Sequence, residues 1–162
     1  MASTQAVPTT VAELRAVLAA IGATPAAVDA IVSGADEATL ETAVPGCRSA
    51  LEILEDLVAA AAGVGHAAHD LMGHVPNGGA SRPAAPPTSD GLRLQLRFLR
   101  EHIVSTIDQQ GAAVWWTPDQ FGRPLASHAV ALVARDRELL PELERSLALA
   151  MGSSADVGRR PD

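Results

Sequence analysis

The sequence predicts an all-α protein: a helical bundle built from an N-terminal helical hairpin and a C-terminal helical hairpin joined by a Pro/Gly-rich linker. Two observations predict this class. Apolar residues recur every three or four positions along most of the chain, which is the spacing of one helical face. Capping-box and proline signals mark the starts of several of these periodic stretches. No stretch needs a strand to explain it.

The first periodic stretch begins with the signature of a capping box. The Thr10 hydroxyl can accept the amide of Glu13, whose carboxylate can accept the amide of the capping residue. Gly22 fits the position just past a helix end, and Pro25 fits the first turn of a new helix, where its missing amide costs nothing. We therefore expect two helices that are separated at Gly22, followed by a short helical turn around 36–44.

Residues 46–74 carry the strongest periodic signal and predict one long helix that folds back on the helices before it. Apolar and small residues alternate there in steps of four and three, over about four heptads. We call this row the α-seam; its members are Cys47, Leu51, Leu54, Val58, Ala61, Gly65, Ala68, Met72 and Val75. Its second half is alanine and glycine, which permits close backbone approach but contributes little apolar area.

A linker at 75–90, VPNGGASRPAAPPTSD, separates halves of different composition. The acidic helical segment at 9–74 has no aromatic residue, whereas the C-terminal helical hairpin at 91–151 contains all four aromatics and nearly balanced charge. A linker of this composition cannot bury a core. Because each half alone has a thin core, we expect the halves to dock or to oligomerise. Residues 1–8 and 152–162 are expected to be disordered.

The C-terminal half predicts two main helices with an irregular connection. Ser89 or Asp90 caps the first helix, which runs to about Gln110 and is broken by Gly111.

Residues 112–116 are expected to form a short extended piece, and 117–120 predict a second capping box with one helical turn. The last helix begins near Leu125. Pro141 lies inside it and is expected to kink or restart it.

Composition argues against several classes of protein. The net charge is −7, and all basic residues are arginine, which argues against nucleic acid as a partner. Cys47 is alone, so no intrachain disulfide is expected. The N-terminus lacks a basic region followed by an apolar core, and the most apolar run, at 57–68, is too short to span a bilayer. We expect a cytoplasmic protein with no membrane association, although export without a cleaved signal stays open. Heavy alanine use, with arginine as the one basic residue type, suggests a GC-rich coding sequence.

The histidine cluster near the linker is the candidate metal site. On a helix His66, Asp70 and His74 lie along one side, with His69 beside them. Imidazole and carboxylate groups in such a row could ligate a divalent ion such as Zn²⁺. The alternative is that they are partly exposed polar residues flanking the α-seam. No cofactor other than this possible metal is expected.

Three arginines form a stripe on the helix after the linker. Arg93, Arg97 and Arg100 have i, i+4, i+7 spacing, so they share a face. Such a stripe could bind phosphate or dock on the acidic half, and the acidic half is the favoured target. Glu101 offers the alternative of a solvated face with ion pairs inside the helix.

The stretch that contains both tryptophans is the candidate partner-binding loop. Neighbouring residues on an extended backbone point to opposite sides, so one of Trp115 and Trp116 should be buried and the other partly exposed. An exposed tryptophan with Phe121 and Arg123 nearby has the composition of an interface hot spot. Burial of both tryptophans under the folded loop is the alternative.

Residues 9–90 resemble the small helical N-terminal modules of actinobacterial export and polymorphic-toxin proteins, broadly WXG100-like. The segments TVAELRAVLAAIG and CRSALEILEDLVAAAAGVG and the linker carry this resemblance. The Trp-x-Gly hallmark of the hairpin turn is replaced here by 44–46, Val-Pro-Gly, so no functional residue is carried over.

No enzyme signature is present: the chain has no Gly-rich phosphate loop, no G-x-S-x-G, and no cysteine with an obvious histidine partner. The favoured hypothesis is therefore a non-enzymatic helical module that self-associates or binds a protein partner through the α-seam and the tryptophan loop. A metal-binding helical protein is the first alternative. An export-linked or toxin-associated module, which the resemblance implies, is the second.

Overall fold

The computed structural model describes residues 6–71 and 87–157, and within these ranges it is helical without a named strand. The all-α class is confirmed. The helices are α1 (Val11–Val32), α2 (Glu37–Glu41), α3 (Ala50–Leu71), α4 (Ser89–Gln110) and α5 (Leu125–Val157), with a 3₁₀ helix at Ala112–Trp116.

α1 is one continuous helix, so the predicted break at Gly22 was wrong. Its capping box at Thr10 is present as predicted, with the Glu13 amide 3.2 Å from the hydroxyl oxygen. Ile21 and Val28 lie on either side of Pro25, and both are fully buried in the core. An unbroken helix keeps both on one face, and that burial outweighs the local cost of the proline.

α5 also passes through a proline without ending. Pro141 lies inside the helix, and its neighbours Leu139 and Leu143 are both fully buried. The proline therefore does not separate two helices. α5 continues to Val157, beyond the end expected at 151.

The other helix ends lie close to the predicted positions. Thr88, rather than Ser89 or Asp90, caps α4 by accepting the amide of Gly91, and Gly111 ends the helix with a positive φ of 78°. The predicted short turn is α2, which Asp36 caps. α3 begins at Ala50, inside the predicted 46–74.

Two predictions for the connection between α4 and α5 were wrong. Residues 112–116 form a 3₁₀ helix instead of an extended piece. Residues 117–120 form no helical turn; they belong to a loop closed by an isolated bridge between Pro118 and Pro124. The side chain of Asp119 accepts amides inside this loop, which is a known competitor of helix formation.

Each long helix of one half packs closely on both long helices of the other half. The close pairs among the four long helices are α3 with α5, α3 with α4, α1 with α5, and α1 with α4. α1 and α3 therefore lie diagonally across the bundle, as do α4 and α5. The described halves share one core, which explains how a segment without aromatic residues is buried.

Contacts at the helix ends define the chain direction. The Ser89 amide at the start of α4 donates to Glu37 of α2 at 2.7 Å, so α4 begins at the end of the bundle that holds α2. At the opposite end, Trp116 donates to the Pro8 carbonyl at 2.9 Å, just before α1. α3 runs toward this second end. The end of α3 and the start of α4 therefore lie at opposite ends of the bundle.

α1 is long and apolar enough to cross a membrane, judged by length and composition alone. Core helices of soluble proteins pass the same test. In this bundle Leu14, Ile21 and Val28 of α1 are fully buried against the other helices.

An ion pair lies inside the core. Arg100 of α4 is fully buried and donates to both carboxylate oxygens of Asp136 of α5, at 2.8 and 2.6 Å. The Thr24 hydroxyl of α1 donates to the same carboxylate at 2.7 Å. Three long helices therefore meet at one carboxylate.

We expect Asp136→Ala to lower the free energy of unfolding by about 3–5 kcal/mol, because it leaves the Arg100 guanidinium charged and buried without its partner. Urea denaturation measures this value. The control is Asp108→Ala, which removes an exposed ion pair with Arg15 and should cost less than about 1 kcal/mol. Equal effects of the two variants would contradict a structural role for the buried pair.

Candidate functional site

An open groove of about 550 Å³ lies where the C-terminal end of α3 meets the loop before α5. We call it the loop groove. Its α3 wall contains Gly63, His66, Ala67 and Leu71, and its other wall contains Asp119, Gln120, Phe121, Arg123 and His128. Two residues of the predicted partner-binding loop and one predicted metal ligand thus line one depression.

Asp119 holds the loop in shape. One carboxylate oxygen accepts the amides of Phe121 and Arg123 at 2.8 and 2.9 Å. The other lies 2.9 Å from Nε2 of His128 in α5. The Asp119 amide donates to the Arg123 carbonyl at 2.8 Å, and Gly122 takes the positive φ of 76° that the turn requires. The loop is thereby fixed to the first turns of α5.

The groove is lined by basic groups. The hydrogen bond from the Arg123 amide, followed by those from His128 and from the Phe121 amide, lowers the pKa of Asp119 below its ordinary 3.8. The Arg123 side chain is 63% exposed, and its Nε lies 3.9 Å from Asp119, beyond hydrogen-bond distance. His66 is exposed and His128 is partly exposed. Among the described residues of the groove wall, Asp119 is the one acid, and its oxygens are already engaged.

Phe121 projects from this loop with 73% of its surface exposed. Its backbone amide is tied to Asp119, so the ring is carried on a braced backbone rather than on a free one. Exposed aromatic residues of this kind, next to an arginine, are typical of protein interfaces.

The two tryptophans have separate environments, and the prediction of Trp115 as a partner-binding residue is corrected. Trp115 is fully buried, and its Nε1 has no hydrogen-bond partner among the described residues. Trp116 is half-buried and anchors the segment before α1 through its bond to Pro8. Trp115 therefore fills the core and cannot contact a partner.

The arginine stripe divides between two acids. Arg93 and Arg97 of α4 each donate to Asp29 of α1 at 2.8 Å, so these two do contact the acidic half. The bond from Arg93 is the main cause that lowers the pKa of Asp29. Arg100 was predicted to bind a partner, and this is corrected, because the residue is fully buried against Asp136.

The predicted metal site falls mostly outside what the structure describes. His66 lies exposed on α3, but the side chains of His69 and Asp70 and the whole of His74 are outside the described residues. Within the described ranges, no group of three or more potential ligands is close enough to hold an ion. The metal hypothesis stays a prediction.

Sequence reasoning missed the pairing of Asp119 with His128. The available signal was Pro118-Asp119 followed by a glycine at 122, a pattern typical of turns in which aspartate accepts backbone amides. His128 stands nine residues later on a helix, and no short motif connects the two.

No known protein family matches the chain, and no curated protein and no solved structure gives a match. The resemblance to WXG100-like modules therefore stays an expectation.

We expect Asp119 to titrate below its ordinary pKa of 3.8, with its midpoint read from carboxyl carbon NMR. Because its pKa is lowered in the folded state, its contribution to loop order is fully present above that ordinary value and is lost as pH falls through the folded-state pKa. Asp119→Ala should speed hydrogen exchange at the Phe121 and Arg123 amides at neutral pH. Asp108→Ala is the control; unchanged exchange in Asp119→Ala would refute the bracing role.

Proposed function

We propose that this protein is a non-enzymatic helical module that binds a segment of a partner protein in the loop groove. The segment would carry a carboxylate next to an apolar side chain. The observation that supports this most directly is Phe121, a large aromatic residue that is 73% exposed on a braced loop at the groove.

Bracing matters because binding costs less when the interface is already ordered. Asp119 ties the loop backbone to itself and to α5 through three hydrogen bonds. A partner that covers Phe121 would therefore order few additional groups in this chain. The gain from burying the ring is then available for affinity.

Charge supports an acidic partner segment. Arg123 is exposed and forms only a long ion pair among the described residues, with its Nε 3.9 Å from Asp119, and two histidines, His66 and His128, line the same groove. An incoming carboxylate would meet Arg123, while the apolar side chain beside it would meet Phe121 and Leu71. Arginine and aromatic residues together are the common composition of binding hot spots.

The surfaces first considered for partner binding are mostly used inside the bundle. Leu54, Val58, Ala61 and Ala68 of the α-seam are buried in the core. Of the predicted partner-binding residues, Phe121 and Arg123 are the two that combine high exposure with a position at a groove.

Selection from a library of random peptides displayed on phage tests this function. Peptides selected on the wild-type protein should be enriched in Asp or Glu next to Leu, Phe or Trp. Their affinity should fall at least tenfold in Phe121→Ala and in Arg123→Glu, because each change removes one half of the recognition.

Phe98→Ala is the matched control, since Phe98 is an equally exposed phenylalanine, at 67%, on α4 rather than at the groove. Selected peptides should bind this variant as they bind the wild type. If no peptide is enriched, or if the enriched peptides bind Phe121→Ala undiminished, the loop groove is not the docking site.

A further inference from the structure

α4 exposes a second apolar surface on the side away from the core. Leu92, Leu96, Ile103 and Ile107 of this helix are buried, yet Leu94 and Phe98 are 68% and 67% exposed. His102 continues the row at the same i, i+4 spacing, and its ring stacks on Phe98 with centroids 6.5 Å apart. We call Leu94, Phe98 and His102 the α4 stripe.

This row differs from scattered exposed apolar residues. A bundle helix normally has one apolar face and a polar outer face, whereas the outer face of α4 carries two large apolar side chains among its polar ones. Contiguous exposed apolar side chains mark a contact surface. The stripe lies on the outer face of α4, separate from the residues of the loop groove.

We infer that the α4 stripe binds a second copy of this chain, with the two α4 helices antiparallel and Phe98 at the two-fold axis. This pairing places Leu94 of each copy against His102 of the other. Such an isologous contact needs a surface that is complementary to itself, and the charges beside the stripe meet this condition.

Arg97 and Glu101 lie on the same edge of the stripe. In an antiparallel pair centred on Phe98, Arg97 of one copy falls about 3 Å along the axis from Glu101 of the other, at 1.5 Å per residue. The Arg97 side chain is half-exposed, so its guanidinium can pair with a second carboxylate in addition to that of Asp29. The pairing therefore forms two symmetric Arg–Glu contacts.

The net charge of −7 does not oppose contact at this face. α4 contains three arginines and three acids, so the helix itself is neutral. The two other acids of α4, Asp90 and Asp108, have arginine partners in their own chain, at 3.0 and 3.7 Å. Repulsion from the rest of the molecule is screened over about 8 Å at physiological salt.

The dimer should be weak. The stripe covers about two helical turns, less than the roughly 800 Å² per partner that is usual in stable complexes. We expect reversible association between micromolar and millimolar concentrations, which sedimentation velocity resolves.

Phe98→Glu should make the protein monomeric at every concentration, because a carboxylate would then lie on the two-fold axis against its own copy. Circular dichroism checks that this exposed substitution leaves the helices folded. Phe121→Ala, which removes the exposed aromatic of the loop groove, should dimerise like the wild type. This control separates the inference from the proposed function.

Exchanged charges test the antiparallel geometry. Arg97→Glu and Glu101→Arg should each weaken self-association, since each creates like charges across the axis. An equimolar mixture should associate at least as well as the wild type, because one chain is then acidic at both positions and the other is basic at both. A wild type that stays monomeric at millimolar concentration, a Phe98→Glu variant that still dimerises, or a mixture that does not associate would each overturn the inference.

Discussion

The ion pair between Arg100 and Asp136 is the constraint on which the rest of the bundle depends. Two charges are removed from water inside the core, and such groups are tolerated only when they remain paired and hydrogen-bonded. Because α4 and α5 are diagonal, the pair crosses the core and joins helices whose backbones are not in close contact. The Thr24 hydroxyl of α1 donates a hydrogen bond to the same carboxylate, so α1 is also held at this point. Sliding or rotating any of these three helices would separate a buried charge from its partner, so their register is fixed.

That register determines which residues face outward. With Arg100 held inside, residues two and six positions before it on α4, Phe98 and Leu94, lie on the solvent side, and Arg97 lies at the edge where it reaches Asp29. The seven-residue helical repeat alone allowed Arg100 to share a face with Arg93. Asp136, a buried acid on α5, pairs with Arg100, whereas Arg93 and Arg97 pair with Asp29 of α1.

The periodicity of the sequence was sufficient for the all-α class and for the limits of α4. Local signals failed where tertiary packing opposed them. Gly22 and Pro25 disfavour a helix by about 1 and 3 kcal/mol, whereas burying Ile21 and Val28 on one face recovers about 1.5–3 kcal/mol for each side chain. The diagonal arrangement of α1 and α3 could not be predicted from the sequence, because the apolar face of a helix does not specify which other helix will cover it. For the loop groove, composition indicated Phe121 and Arg123, but His128 joins them only through folding.

The exposure of the aromatic residues bears on both proposed surfaces. The core of this bundle consists of leucine, isoleucine, valine and alanine, with Trp115 as its fully buried aromatic. Trp116 is half-buried, and both phenylalanines are about two-thirds or more exposed, Phe98 on α4 and Phe121 on the loop. Folding leaves most of each ring in water, so burial in the core does not account for either residue. A large aromatic side chain contributes most to binding affinity when a partner protein buries it. Their positions on two separate elements, α4 and the loop before α5, are the reason we propose two different contacts, one with a second copy and one with a different protein.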